Sequence, residues 1–264
     1  MVCREIMEVI EQTYSRAYAM SWDNVGLLVG RDDKEVQKIY LAVDATDEVI
    51  DAAVSCHADM LVTHHPMIFG ALKQINNRDF IGKRILRLIQ NDISCYAMHT
   101  NYDVKGMAEL SGEMMGYENA QVLEITCIEE TSDGSVSEGI GRIADLKEPV
   151  TLKAYCDKVK EVFQLPGVIA FGDMDAQIRR AAICPGSGKS VISAAIEKGA
   201  DVLVTGDIGH HEGIDAKAQG LAIIDAGHYG IEHIFIEDMK RYLEAHLENV
   251  QIIGAPVQHP YVIL

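Results

Sequence analysis

The spacing of apolar and polar positions changes period repeatedly along the chain. From Val2 to Ala17 the apolar residues recur at near-helical spacing, which predicts an amphipathic helix. Lys38–Val43 (KIYLAV) is a short apolar run and reads as a buried strand. Asp47–His57 reads as a helix with Thr46 or Asp44 as its N-cap, and Met60–Thr63 (MLVT) as a short strand. Asp79–Gln90 reads as a helix and Ile93–Met98 (ISCYAM) as another strand. Strands alternating with helices predict an α/β architecture with a largely parallel sheet.

The pattern then recurs. A shift of 142 residues places Val49–Ala53 (VIDAA) on Val191–Ala195 (VISAA) and Ala58–Thr63 (ADMLVT) on Ala200–Thr205 (ADVLVT), with no gap between the blocks. The strand Lys38–Val43 falls on Arg180–Pro185. Further on, Tyr96–His99 best matches Asp225–His228, a shift of 129. The shared A-D-x-L-V-T string favours internal duplication over chance likeness of two βαβ units. The expected fold is therefore two similar α/β halves, mostly parallel sheets with flanking helices. The expected halves are 1–128 and 129–264, with the C-terminal helix packing back on the first. Glu129–Asp145 (EETSDGSVSEGIGRIAD), rich in Glu, Ser, Gly and Asp, reads as a loop or hairpin at the boundary.

Charge narrows the partners. Among 264 residues, 23 Lys and Arg stand against 40 Asp and Glu, a formal charge of −17. Binding along a nucleic-acid backbone needs the opposite excess, so none is expected. Nucleotides remain open, because a bound metal reverses the local field. A hydrophobic content of 48% is enough for a folded core. No apolar run of about 18 residues predicts a membrane span. The start, MVCREIMEVIEQ, lacks the unbroken apolar stretch of a signal peptide, so the expected location is cytoplasmic. Cys3, Cys56, Cys95, Cys127, Cys156 and Cys184 are scattered without a C-x-x-C pair, as expected of small buried residues in a reducing compartment.

Chemistry concentrates where strands end. His64 and His65 follow MLVT and precede Pro66, which holds His65 extended. Ligands of parallel α/β sheets bind outside the carboxyl ends of the strands. Adjacent side chains leaving a strand diverge, so the pair is suited to serve two different ions. The strand ISCYAM runs into His99, with Asp103 four residues on; LAIIDA runs into His228, with Glu232 four residues on. On a helix that spacing stacks His228 and Glu232 on one face. Imidazole and carboxylate suit Zn, Fe or Mn, and a carboxylate bridges two cations. The plainer alternatives are an exposed helical pair at His228 and Glu232, and an N-cap at Asp103 for a helix near 106–115.

Several further signals are open. Pro185–Ser190 (PGSGKS) is not a P-loop, since Ile183 stands where the first glycine belongs; it is a tight turn or an anion cradle. Asp207, His210, His211 and Glu212 follow DVLVT and either support the site or are surface groups. His57, His233, His246 and His259 lack companions and read as structural or solvated. Trp22, the only tryptophan, reads as a packing anchor, with Asp23 and Asn24 lining the crevice or forming a turn. Met107, Met114 and Met115 fit the core face of a helix.

Taken in order, SWDNVGLLVG (Ser21–Gly30), LVTHHPMIFG (Leu61–Gly70), HTNYD (His99–Asp103), ADVLVTGD (Ala200–Asp207) and DAGHYGIE (Asp225–Glu232) resemble the GTP cyclohydrolase 1 type 2 family, NIF-three-like proteins with a dinuclear metal centre. The resemblance spans essentially the whole chain, in the short form without an inserted central domain. Most relatives read HTNLD where this chain has HTNYD, which leaves Asp103 in place. The resemblance implies two interlinked α/β halves, a ring-shaped homohexamer, and two divalent ions (Zn, Fe or Mn) per subunit. It implies His64, His65, Asp103, His228 and Glu232 as metal ligands, Asp103 and Glu232 being shared. The activity it implies is hydrolysis of a nucleotide or similar small substrate by a metal-activated water; beside such a centre His99 is a candidate proton carrier, the plainer alternative being a hydrogen bond that supports Asp103. The alternative is a non-catalytic metal-binding or regulatory protein that stores, senses or delivers metal.

Overall fold

The computed structural model describes residues 1–131 and 134–263. From the N-terminus the elements are α1 (Cys3–Thr13), β1 (Gly26–Val29), β2 (Lys38–Ala42), α2 (Asp47–Ser55), β3 (Met60–Thr63), α3 (Phe80–Gln90), β4 (Ser94–Ala97), the single turn α4 (Thr100–Tyr102) and α5 (Ala108–Met114). There follow β5 (Gln121–Thr131), β6 (Gly134–Thr151), α6 (Leu152–Val162), β7 (Ile169–Phe171), β8 (Gln177–Ser187), α7 (Ile192–Glu197), β9 (Val202–Gly206) and α8 (His210–Ala218). The chain ends through β10 (Ala222–Asp225), α9 (His228–Glu232), α10 (Ile234–His246) and β11 (Gln251–Gly254). No described helix is long and apolar enough to cross a membrane. The fold is mixed α/β with two sheets, distributed over two compact units: Met1–Tyr102 with Phe235–Val257, and Asp103–Ile234 with Gln258–Leu264.

The first unit is built on a sheet in the order β1-β4-β3-β2-β11. β4, β3, β2 and β11 are parallel, and β1 runs antiparallel to β4 at the edge. All four residues of β3 are buried, as an interior strand covered on both faces requires. Thr46 caps α2, its hydroxyl accepting from the Val49 N–H at 3.3 Å; Asp79 caps α3, accepting from the Gly82 N–H at 2.8 Å. These caps aim Ile50 and Ala53 of α2, and Ile85 and Leu88 of α3, onto Leu61 and Cys95 of the sheet. With Thr46 as the cap, Asp44 is left for another role. α1 buries Cys3, Ile6 and Ile10, and the Tyr242 hydroxyl of α10 donates to the Val9 carbonyl at 2.8 Å.

The second unit has the sheet order β5-β6-β8-β9-β10-β7. Only β8, β9 and β10 are mutually parallel; β5, β6 and β7 pair antiparallel. The segment Glu129–Asp145 belongs to the arms of the β5–β6 hairpin, and its positions 132–133 lie outside the described residues. Leu123, Ile143, Ala182, Leu203 and Ile223 form its core. Met107 and Met115 are buried in line with the helical reading, whereas Met114 is 36% exposed.

The two sheets repeat one plan at the register of single residues. Ile39 pairs with Met60, and Ala181 with Val202, each pair related to the other by the 142-residue shift. The Asp59 carboxylate accepts from the Gln37 and Lys38 N–H groups, and Asp201 accepts from Arg179 and Arg180 in the same way. Beyond the second strand the register differs from the sequence expectation by one residue. Thr63 pairs with Ala97 and Thr205 with Asp225, so the shift across β4 and β10 is 128, not 129. His99 therefore matches Gly227, and His228 lies one position later in its own half. The similarity of D-A-G-H to Y-A-M-H hid this offset, because both strings end in His.

Candidate metal centre

In the first unit, three histidines gather at the ends of β3 and β4. The ring centroids of His64 and His65 are 4.8 Å apart, and His99 lies 5.4 Å from the first and 5.5 Å from the second. His64 is fully buried, and its Nδ1–H donates to the Met98 carbonyl at 2.9 Å. A carbonyl only accepts, so this bond fixes the tautomer and leaves the lone pair of the neutral ring on Nε2. His65 Nδ1 bonds Asp44 Oδ1 at 2.8 Å, and His99 Nδ1 bonds Asp23 Oδ1 at 2.8 Å. Burial works against ionisation of Asp23, but bonds from His99 and Thr100 outweigh it and hold its pKa at about 2. Asp23 is therefore a carboxylate near neutral pH, and it orients His99 as Asp44 orients His65.

In the second unit, His228 and Glu232 occupy the one turn of α9, and the i, i+4 spacing brings His228 Nε2 to 3.1 Å from Glu232 Oε2. They are not an exposed pair: Glu232 is 2% exposed. His228 Nδ1 bonds Asp207 Oδ2 at 2.7 Å, which gives Asp207 the supporting role left open by the sequence. The imidazole thus lies between two carboxylates, Asp207 at Nδ1 and Glu232 at Nε2. Asp103 opens a π-helical turn, Asp103–Met107, between α4 and α5. The N-cap of α5 is Met107, which makes no side-chain bond, so Asp103 is not that cap. The Cys184 thiol is pushed far above its usual range, first by burial and then by the carboxylates of Asp103, Glu124 and Glu232. Burial is the larger cause, and the three carboxylates add to it.

Two contributors had no clear sequence signal. Gly186 has φ +82°, and a Cβ there would stand 2.6 Å from Glu232 Oε1. The glycine of PGSGKS thus lets the backbone approach a buried carboxylate, the close-approach use of glycine. Asp44 was considered only as a cap. Glu212 pairs with Lys189 on α8, and His210 and His211 are exposed. His233 Nε2 bonds the Phe163 carbonyl at 3.0 Å, and His246 Nδ1 that of Tyr242 at 2.7 Å, both structural as expected. Trp22 is not a packing anchor: it is 64% exposed, its ring edge-on to His99. Size and apolarity suggest burial, but the neighbouring Asp23 and Asn24 are drawn into polar bonds that turn the indole outward.

A family model, Duf34/NIF3 (NGG1p interacting factor 3), matches residues 1–260. A Clostridium acetobutylicum protein named GTP cyclohydrolase 1 type 2 homolog is 34% identical over 252 residues, covering 94% of this chain and 92% of the relative. A Clostridium perfringens protein of the same name is 32% identical over 256 residues, covering 95% of each. The crystal structure of a Bacillus cereus protein related to NIF3 superposes with a TM-score of 0.94 at 26% identity, covering 100% of this chain and 99% of that one. The chain belongs to the Duf34/NIF3 family.

Proposed function

We propose that this member of the family is a divalent-metal-dependent hydrolase acting on a nucleotide or similar small substrate, with His64, His65, Asp103, His228 and Glu232 holding two ions. The observation that carries the reading is the second bond of each imidazole. Nδ1 of His64, His65 and His228 is tied to Met98 O, Asp44 and Asp207, which fixes each ring and sets its Nε2 on the opposite edge. Metal-binding histidines are held in this way by a carbonyl or carboxylate behind the ring. The imidazole nitrogens and carboxylate oxygens of these five residues suit Zn, Fe or Mn. His64 and His65 would each serve a different ion, with Asp103 and Glu232 as the shared anions that offset cation repulsion. When bound, the cations supply a water acidified toward neutrality and a Lewis acid for the scissile bond.

The chain's own part is to place and move protons. His99, held by the Asp23 carboxylate, is suited to take a proton at Nε2 and return it to a leaving group. Family likeness also supports a homohexamer. The test is reconstitution with Zn, Mn or Fe after chelation, with metal content and turnover of a nucleotide and phosphoester panel measured together. We expect about two ions per chain and hydrolysis that a folded His65→Ala variant loses. Metal uptake without turnover of any substrate would overturn the hydrolase reading in favour of metal storage or sensing. Failure to take up metal would overturn both.

A further inference from the structure

The first unit exposes two large aromatic side chains beside the same histidine. Trp22 is 64% exposed and Phe69 61% exposed. Both rings stand edge-on to His99, each with its centroid 5.9 Å away, at interplanar angles of 74° and 89°. Aromatic rings so exposed leave apolar area in water that packing would otherwise remove. The segments that carry them are fastened together. Asn24, two residues after Trp22, donates its side-chain N–H to the Ile68 carbonyl at 2.6 Å, immediately before Phe69. Asp23, between Trp22 and Asn24, accepts from the Thr100 N–H at 3.0 Å and bonds His99 at 2.8 Å. The W-D-N triplet thus does three things: it presents an indole, orients the imidazole and pins the loop that brings the phenyl ring.

We propose that Trp22 and Phe69 form a stacking platform for a planar nitrogen heterocycle, a nucleobase-type ring, held against His99. This rests on the proposed function and narrows its substrate class. Two exposed aromatic rings beside a single imidazole favour a flat π-system, which offers a face to each, over a phosphate, which has none to stack. The formal charge of −17 also argues against recognition that starts from the phosphate. Asn24 is a positioning residue, since it acts by holding Ile68 and so the Phe69 segment.

Trp22 is the only tryptophan in the chain, so its fluorescence reports this platform alone. The excited-state lifetime of the full chain would be followed during titration with guanosine 5′-monophosphate and, separately, ribose 5-phosphate, with and without chelator. We expect saturable quenching by the nucleotide, none by the sugar phosphate, and persistence of the nucleotide effect in the chelated protein. Phe69→Ala should weaken nucleotide binding about tenfold or more, and Asn24→Ala should weaken it while leaving the folded state intact by circular dichroism. Absence of saturable quenching, equal quenching by ribose 5-phosphate, or unchanged affinity in Phe69→Ala overturns the platform. So does a lifetime that changes with protein concentration alone, which would assign the aromatics to a contact between copies. Quenching without turnover would retain the platform and remove the hydrolase reading; turnover without quenching would do the reverse.

Discussion

A metal ligand is made by what stands behind it. His65 leans on Asp44, 21 residues earlier, and His228 leans on Asp207, also 21 residues earlier, each across the gap between neighbouring parallel strands. The role of Asp44 was invisible in a linear reading, since it depends on strand register, whereas Asp207 already stood as a possible support. The ligand types at strand exits were legible, and so was the i, i+4 pairing of His228 with Glu232. Asp207→Ala should remove the acceptor at His228 Nδ1 without touching a proposed ligand. Metal affinity measured by competition with a chelator should fall about 10- to 100-fold, while the unfolding midpoint of the chelated protein changes little. Unaltered affinity would mean that the His228 ring needs no support from behind.

The repeated βαβ element was legible because its strands are buried on both faces and therefore read as unbroken apolar runs: β3 as MLVT, β9 as VLVTG. Of the antiparallel additions, the hairpin at Glu129–Asp145 was legible as one of two alternatives, but the length of its strands was not. β5 and β6 carry exposed apolar residues such as Ile125, Ile128 and Val136, which spoil the alternation that marks a half-buried strand. Each βαβ element opens with the same clasp, an aspartate after the helix that accepts from two N–H groups at the start of the preceding strand. Asp59 makes these bonds at 2.8 and 3.0 Å, and Asp201 at 2.7 and 2.9 Å. Each clasp joins a carboxylate to two backbone donors, so Asp59→Ala and Asp201→Ala should each cost about 1–3 kcal/mol. Urea unfolding of the two variants checks both the magnitude and its similarity in the two units. A cost near zero in either would mean that water replaces the carboxylate at no loss.

For the protein as a whole, acidity and assembly have to be reconciled. A chain of 29.0 kDa and charge −17 repels its own copies, so a homohexamer needs salt or bound cations to reduce that repulsion. Light scattering of the metal-loaded protein at physiological ionic strength should give about six times the chain mass, with dissociation favoured at low salt. A mass of 29.0 kDa under both conditions would overturn the hexamer. The family assignment was legible from motifs spread over the whole chain, whereas assembly leaves no periodic signal in a single sequence.

The duplicated plan has a genetic consequence. The positions that build the scaffold, such as Asp59 and Asp201, are interchangeable between the copies. Those proposed for the chemistry are not: the shift that superposes the clasps sets His65 against Asp207, a ring against the carboxylate that holds another ring. Likewise His99 faces Gly227, where a Cβ would stand within 2.1 Å of the Tyr261 hydroxyl. A gene conversion that overwrote one copy with the other would keep the clasps of both sheets and erase the proposed ligand set.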